Sequence, residues 1–286
     1  MQQKLSFLLC SIVFVLVFVG CGQPPLSPRD PSDGVFHFRV MTFNLEIEKQ
    51  PEASTIAAVG QPDADVLCLQ EVGWGWPDVL RTQFTKRYPH QLFYADPNHP
   101  TGGLAVLSHY PLKDLGVELD PEGWHPSWRF SVMTPRGELE ILNVHLRPVF
   151  SGDGNAVSSY VKVGDDHRAQ IDRFHPSTGS QARLIMGDFN EDPNGAAIQR
   201  LEDQGYSNVL PMFHPGQQTW RHKSLGGEFD ATIDHILFDE QLEPLNAWVL
   251  VKGKSDHLPV IADFEWPVLP QPTQPTQPTD TATTAP

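Results

Sequence analysis

The 286 residues are 40% hydrophobic and 19% charged, a balance that excludes an intrinsically disordered chain and provides for a sizeable core in one large or two small domains. Acidic residues outnumber basic ones 35 to 20, for a formal net charge of -15. Tight non-specific binding to nucleic acid is therefore disfavoured, because it needs a basic face to neutralise phosphates.

The N-terminus reads as a targeting segment rather than as part of a fold. Met1 to Lys4 is a short polar start with one positive charge, and Leu5 to Val19 is almost wholly apolar, the layout of a secretory signal peptide; an uncleaved membrane anchor is the alternative. Phe18-Val19-Gly20-Cys21 resembles a bacterial lipobox with Phe18 in the place of the usual Leu. That resemblance implies a signal over residues 1–20, acylation of Cys21 and attachment to a membrane surface, each buried CH₂ contributing about 0.8 kcal/mol. Gly22 is similar to the outer-membrane pattern of Gram-negative lipoproteins. The other cysteines, Cys10 in the apolar run and Cys68 in a strand-like segment, leave the mature domain no intramolecular disulfide and no cysteine nucleophile. Residues 21–34, rich in Pro, Ser and Asp, are expected to form a disordered tether, and residues 267–286, with their Gln-Pro-Thr repeats, a disordered tail. One domain is expected over 35–266.

Within it, alternation predicts a strand over Phe36 to Phe43 that ends at Asn44-Leu45-Glu46, a helix over Ala53 to Val59, and a strand over Asp65 to Gln70 that delivers Glu71. A helix over Asp78 to Tyr88 and strands over Leu104 to Ser108, Trp128 to Met133 and Leu139 to His145 follow. Pro148 to Asp166 reads as a long Gly- and Ser-rich loop, Asp166 to Phe174 as a helix, and Arg183 to Met186 as a strand that stops at Gly187-Asp188-Phe189-Asn190. The remainder is a helix over Asn194 to Gln204 and strands over Thr232 to Phe238, Ala247 to Val251 and Leu258 to Phe264. Strands alternating with helices, together with adjacent strand pairs, predict an α/β fold with mixed sheets.

Polar side chains recur where apolar strands begin or end: Asn44, Glu71, His145, Asp188 with Asn190, Asp234 with His235, and Asp256 with His257. Each alone has an ordinary explanation as a turn or cap residue. Six such positions in one domain point instead to a site held by rigid elements. The donors are hard oxygens and imidazoles; a Gly-x-Ser-x-Gly elbow, a Walker loop, a Rossmann fingerprint and a His-x-x-x-His pair are all missing. Oxygen ligands suit Mg²⁺ or Mn²⁺, and such a cation beside an acid/base pair is equipment for hydrolysing a phosphate ester.

In order, Thr42-Phe43-Asn44-Leu45, Leu69-Gln70-Glu71-Val72, Asn143-Val144-His145-Leu146, Gly187-Asp188-Phe189-Asn190, Ile233-Asp234-His235-Ile236 and Ser255-Asp256-His257-Leu258-Pro259-Val260 closely resemble the endonuclease/exonuclease/phosphatase superfamily. Gly102 to Ser108 is similar to that family's glycine-led strand, with His109 where the family has Arg. The resemblance implies a four-layer α/β sandwich, two packed mixed β-sheets flanked by helices, with its site at one edge of the sheets. It also implies that Glu71 is the main Mg²⁺ ligand, assisted by Asn44 and Asp256, with Glu46 a further acidic candidate. By the same resemblance Asp234 orients His257, Asp188 and Asn190 position water and a phosphate oxygen, and His145 meets the phosphate; either His257 or Asp188 serves as general base. Trp74, Arg129 and Arg147 are expected at the substrate, for stacking or phosphate contact.

The expected function is a metal-dependent phosphodiesterase or phosphatase, monomeric, acting by in-line attack of activated water at a membrane surface outside the cytoplasm. The alternatives are an extracytoplasmic nuclease of DNA or RNA and a non-catalytic binding lipoprotein of the same fold.

Overall fold

The computed structural model describes residues 24–97, 100–148, 156–176, 183–224 and 227–267. The expected signal over 1–20, the acylation site Cys21 and all but Pro267 of the expected tail lie outside the described residues. In chain order the elements are β1 (Phe36–Asn44), α1 (Ala53–Gly60), β2 (Val66–Gln70), α2 (Trp76–Phe84), β3 (His90–Tyr94), β4 (Leu104–Ser108), β5 (Leu112–Glu118), β6 (Ser127–Thr134), β7 (Gly137–His145), α3 (Ala156–Phe174), β8 (Leu184–Asp188), α4 (Ala196–Glu202), β9 (Ser207–Asn208), α5 (Val209–Phe213), β10 (Trp220–Ser224), β11 (Gly227–Ala231), β12 (Asp234–Phe238), β13 (Glu243–Val249) and β14 (Val260–Trp266).

The strands form two six-stranded mixed sheets, ordered β13-β14-β1-β2-β4-β3 and β5-β6-β7-β8-β12-β9, beside the hairpin β10-β11. Side chains of a strand alternate between its two faces, and here both faces are apolar. Phe38 and Val40 of β1, Val66 and Cys68 of β2, Leu139 and Ile141 of β7 and Leu184 and Met186 of β8 meet in the core between the sheets. The intervening Met41, Phe43, Leu67 and Leu69 pack under α1 and α2, and Leu142, Val144 and Ile185 under α3 and α4. The order of layers is helix, sheet, sheet, helix, as the family resemblance implied.

Local chemistry explains the helix starts. The Glu52 carboxylate accepts from the backbone N–H groups of Ser54 and Thr55 at 3.1 and 2.8 Å and caps α1. Pro77 stands in the first turn of α2, where its missing N–H has no partner to lose. α3 starts at Ala156, so much of the expected loop from Pro148 to Asp166 is helical; no proline interrupts the chain between Pro148 and Pro176.

Gly187 marks the tightest junction. Its φ is 153°, and a Cβ there would lie 1.9 Å from the Val144 carbonyl oxygen of the neighbouring parallel strand. Gly187→Ala is accordingly expected to cost more than about 3 kcal/mol of stability. An unchanged urea midpoint for that variant would contradict the close approach.

Part of the expected disordered tether is bound to the domain. The Leu26 N–H donates to the Met212 carbonyl at 2.7 Å and the Arg29 N–H to that of Leu245 at 3.0 Å. The Arg29 guanidinium pairs with Glu243 at 2.9 Å and Glu265 at 2.6 Å, and the Ser32 N–H donates to Glu265 at 2.9 Å. Glu243 of β13 and Glu265 of β14 supply the Arg29 guanidinium and the Ser32 N–H with acceptors, which is what composition alone did not reveal.

Candidate active site

The inward rows of the strands change character at one end. After apolar Phe38 and Val40, β1 presents Thr42 and Asn44; β2 ends in Gln70; β7 presents Asn143 and His145; β8 ends in Asp188; β12 begins with Asp234. Asn44 pairs in register with Gln70, His145 with Asp188, and Asp188 with Asp234, so these positions share one level of the sandwich. Beneath them Gln70 Nε2 donates to Asn143 Oδ1 at 2.8 Å across the two sheets.

Asp188 is the centre of the group and is 1% exposed. Asn44 Nδ2 donates to Asp188 Oδ2 at 2.9 Å and to Glu71 Oε1 at 3.1 Å, holding two carboxylates together. His145 Nε2 lies 3.6 Å from Asp188 Oδ2 and 3.8 Å from Glu71 Oε1, and His257 Nε2 lies 3.7 Å from Asp188 Oδ2. His257 Nδ1 is 3.0 Å from both oxygens of Asp234. Asp188, Asp234 and His257 are buried and bring their ligand-type atoms within 4.8 Å of one another.

Burial first, then Asp234, raise the Asp188 carboxyl to about 7 against the opposing pull of His257. Burial acts to lower His257, but Asp234 and Asp188 outweigh it and raise the imidazole to about 10. His257 is therefore protonated at neutral pH, a state that competes with metal ligation and suits a hydrogen bond to Asp234 on one side and an ion pair with Asp188 on the other.

Backbone conformation places the remaining acids. Alternation alone would send Glu71 to the helix-covered face of its sheet, but its left-handed backbone, φ 54°, breaks the alternation. Its other oxygen accepts from the Ile47 N–H at 2.8 Å. Glu46 (φ 57°) and Asn190 (φ 51°) are also left-handed, so three of the four non-glycine residues with positive φ among those described belong to the predicted site. Glu46 Oε2 accepts from the Asp256 N–H at 2.9 Å; burial, and next the Asp256 charge, raise the Glu46 carboxyl. Asp256 Oδ2 accepts from Trp220 Nε1 at 2.8 Å. Ser255 donates through Oγ to the Asn44 carbonyl at 2.8 Å and accepts from the His257 N–H at 3.1 Å, which ties the Ser-Asp-His stretch to β1.

Asn190 donates to the Leu146 carbonyl at 3.0 Å and its N–H to Asp188 Oδ1 at 2.9 Å. Asn44, expected beside the metal, accepts from the Glu46 N–H at 2.9 Å through one lone pair of Oδ1 and uses its amide nitrogen to orient the carboxylates. Arg147 is two residues beyond His145, paired with Asp166, and its guanidinium lies 4.4 Å over the Trp124 ring. Trp74 stands close behind Glu71 and is 74% exposed. Arg129 is not brought to the site: it pairs with Glu140 at 2.6 Å and donates to the Phe174 carbonyl at 2.8 Å, fastening β6 to the end of α3. An inward-facing Trp128 requires its neighbour Arg129 to face the helices.

His125 is a site residue that sequence reasoning missed. Its ring stacks on His145 with centroids 3.6 Å apart, and its Nε2 is 2.7 Å from Thr101 Oγ1. It lies in the loop before β6, where no periodicity singles it out. Likewise unforeseen, Thr219 Oγ1 accepts from the N–H groups of Ile233 and Asp234 at 3.0 Å and so sets the start of β12.

Curated proteins give no match to the sequence. Among solved structures, an endonuclease/exonuclease/phosphatase from Beutenbergia cavernae DSM 12333 is similar at 20% identity, with a TM-score of 0.60 over 80% of this chain and 72% of that one. D. rerio TDP2, complexed with a single-strand DNA product, is similar at 15% identity and a TM-score of 0.56, over 80% and 98% of the two chains. Sphingomyelinase C from Streptomyces griseocarneus is similar at 19% identity and a TM-score of 0.53, over 79% and 99%. These likenesses are of fold. The model of the Endonuclease/Exonuclease/phosphatase family matches residues 41–257, from the first strand through His257, and the chain belongs to that family.

Proposed function

We propose that the protein is a Mg²⁺-dependent phosphoester hydrolase, a phosphodiesterase or phosphatase, held at a membrane outside the cytoplasm through acylated Cys21. The observation that carries the chemistry is the placing of Asp188, a buried carboxyl raised by its burial, between Asn44, His145 and an imidazole already bonded to Asp234. A base poised near the working pH takes a proton most effectively, so Asp188 is assigned the proton of the attacking water. His257, kept cationic by Asp234, and His145, backed by the His125 ring, donate to the phosphoryl oxygens. Asn190 positions the water or an equatorial oxygen beside Asp188.

The donors at the rim fit a hard divalent cation. Glu71 keeps a partly exposed carboxylate, and Glu46 and Asp256 lie next to each other nearby. Glu71, with Glu46 and Asp256 around it, would hold Mg²⁺, or Mn²⁺ with its similar preference, and the bound cation supplies neutralisation of charge on the phosphoryl oxygens.

The deciding assay incubates the purified domain with Mg²⁺ and, separately, bis-p-nitrophenyl phosphate, p-nitrophenyl phosphate, plasmid DNA and sphingomyelin. Turnover that chelation abolishes is expected for at least one ester. Absence of turnover for all four, with Mg²⁺ demonstrably bound, would leave a binding protein; cleavage of the plasmid far above the others would make it a nuclease.

The anchor rests on the apolar Leu5 to Val19 run and the Cys that follows it. Among the described residues no helix is long and apolar enough to cross a membrane. Cys21→Ala is expected to move the protein from the membrane to the soluble fraction on cell fractionation. Retention as an uncleaved precursor would mean that the apolar run itself is the anchor.

A further inference from the structure

The fixed path of residues 24–34 has a consequence for substrate access. Its partners lie at the end of the sandwich remote from the catalytic group. Glu243 opens β13 and Glu265 nearly ends β14, whereas the opposite ends of those strands, Val249 and Val260, adjoin Thr42 and hence the site. Leu26 is bound to Met212 of α5, which follows Asn208; Asn208 pairs with Leu237, one residue from the far end of β12, the strand that starts at Asp234. Glu265 is in register with His37, seven residues from Asn44 along β1, which at a strand rise of 3.3 Å places the catalytic level about 23 Å from the strap.

Leu26 is five residue steps from Cys21, and fully extended those steps span at most about 18 Å. That reach is shorter than the strand distance.

We propose that the strap turns the catalytic end away from the leaflet that holds Cys21, so that the phosphate ester hydrolysed is water-soluble and arrives from solution, not from the anchoring leaflet. This deepens the function proposed above and rests on its acylated Cys21 and its hydrolase reading.

The test uses the full acylated chain on phosphatidylcholine vesicles containing sphingomyelin. With Cys21 acylated and Cys68 buried, a single added cysteine carries the dye. Trp74→Cys labels the catalytic rim, and Glu240→Cys labels the exposed turn after β12 at the opposite end. Energy transfer to an acceptor lipid is expected to be at least severalfold greater from position 240 than from 74. Arg29→Ala, which removes the pairs with Glu243 and Glu265, should narrow that difference. Equal transfer from both positions in the unaltered strap, or greater transfer from 74, would overturn the orientation.

Turnover gives an independent arm. Bis-p-nitrophenyl phosphate is expected to be hydrolysed within about twofold at the same rate by vesicle-bound protein and by the soluble Cys21→Ala variant. Sphingomyelin hydrolysed at least tenfold faster by the anchored protein than by Cys21→Ala added to the same vesicles would place the site against the leaflet and overturn the proposal. Protein that does not float with vesicles overturns the anchor, and the orientation with it. Energy transfer as expected, with no ester turned over, supports the orientation while overturning the hydrolase reading.

Discussion

Asp188→Asn is expected to lower phosphoester turnover by about 10²–10⁴-fold while leaving the domain folded, because the amide keeps the shape of the carboxylate and abolishes its basicity. Asn44 can still donate to the remaining carbonyl oxygen, while the Asn190 N–H that met the other oxygen loses its acceptor at a cost of about 1–3 kcal/mol. Rates at saturating substrate and Mg²⁺ measure the effect. A variant within threefold of the parent would remove Asp188 from the proton-transfer role and return that role to His257, whose Nε2 is 3.7 Å away.

The same substitution has an opposite expected effect on stability. Asp188 titrates near 7 in the folded chain against an ordinary 3.8, so its contribution is fully present below about pH 4 and is lost as pH rises through 7. His257, raised from 6.5 to about 10, contributes stability that is fully present below 6.5 and is lost as pH rises through 10. Both therefore make the metal-free domain less stable at higher pH, Asp188 on the order of a few kcal/mol between pH 4 and 7. In chelator-treated protein, urea midpoints should fall between pH 5 and 8 for the parent and fall less for Asp188→Asn. Parallel decline in the two would show that the carboxyl is not held at a raised value.

Much of this site was legible because strand alternation is strict. Once Phe38 and Val40 are assigned inward, Asn44 follows at the same parity, and the same step carries Ile141 to His145 and Met186 to Asp188. Glu71 does not obey that rule. Its left-handed backbone brings it round to Asn44, and its place at a strand end and in a family motif, not its parity, announced it. His125 was unreadable for a related reason: it comes from a loop, where no period applies, and its role is given by a stacking partner twenty residues away in sequence. Arg129 shows the converse error. Arginines near a site suggest phosphate, yet parity opposite to Trp128 had already directed this one to the helix layer, where Glu140 and the Phe174 carbonyl claim it. The hairpin β10-β11 was missed because its strand Trp220–Ser224 carries Arg, His and Lys in succession and lacks the apolar alternation that marks a half-buried strand.

Glu71→Gln and His257→Ala are expected to separate cation binding from proton chemistry. The Glu71 carboxylate is fixed by Asn44 and the Ile47 N–H and remains partly exposed, so neutralising it should raise the Mg²⁺ concentration for half-maximal rate by at least about tenfold. His257 makes its contacts to Asp234 and Asp188, and its loss should slow turnover by about 10²–10⁴-fold with the half-maximal Mg²⁺ concentration little changed. Its neighbour Asp256 belongs to the first group, since its backbone N–H holds Glu46 and its carboxylate is held by Trp220. Asp256→Asn should therefore shift Mg²⁺ dependence in the direction of Glu71→Gln, although it stands next to His257 in the chain. Titrating Mg²⁺ against rate for the three variants decides the matter: an equal response from Glu71→Gln and His257→Ala would mean that one cluster, not two, governs the cation, and the division of labour within Ser255-Asp256-His257 would fall.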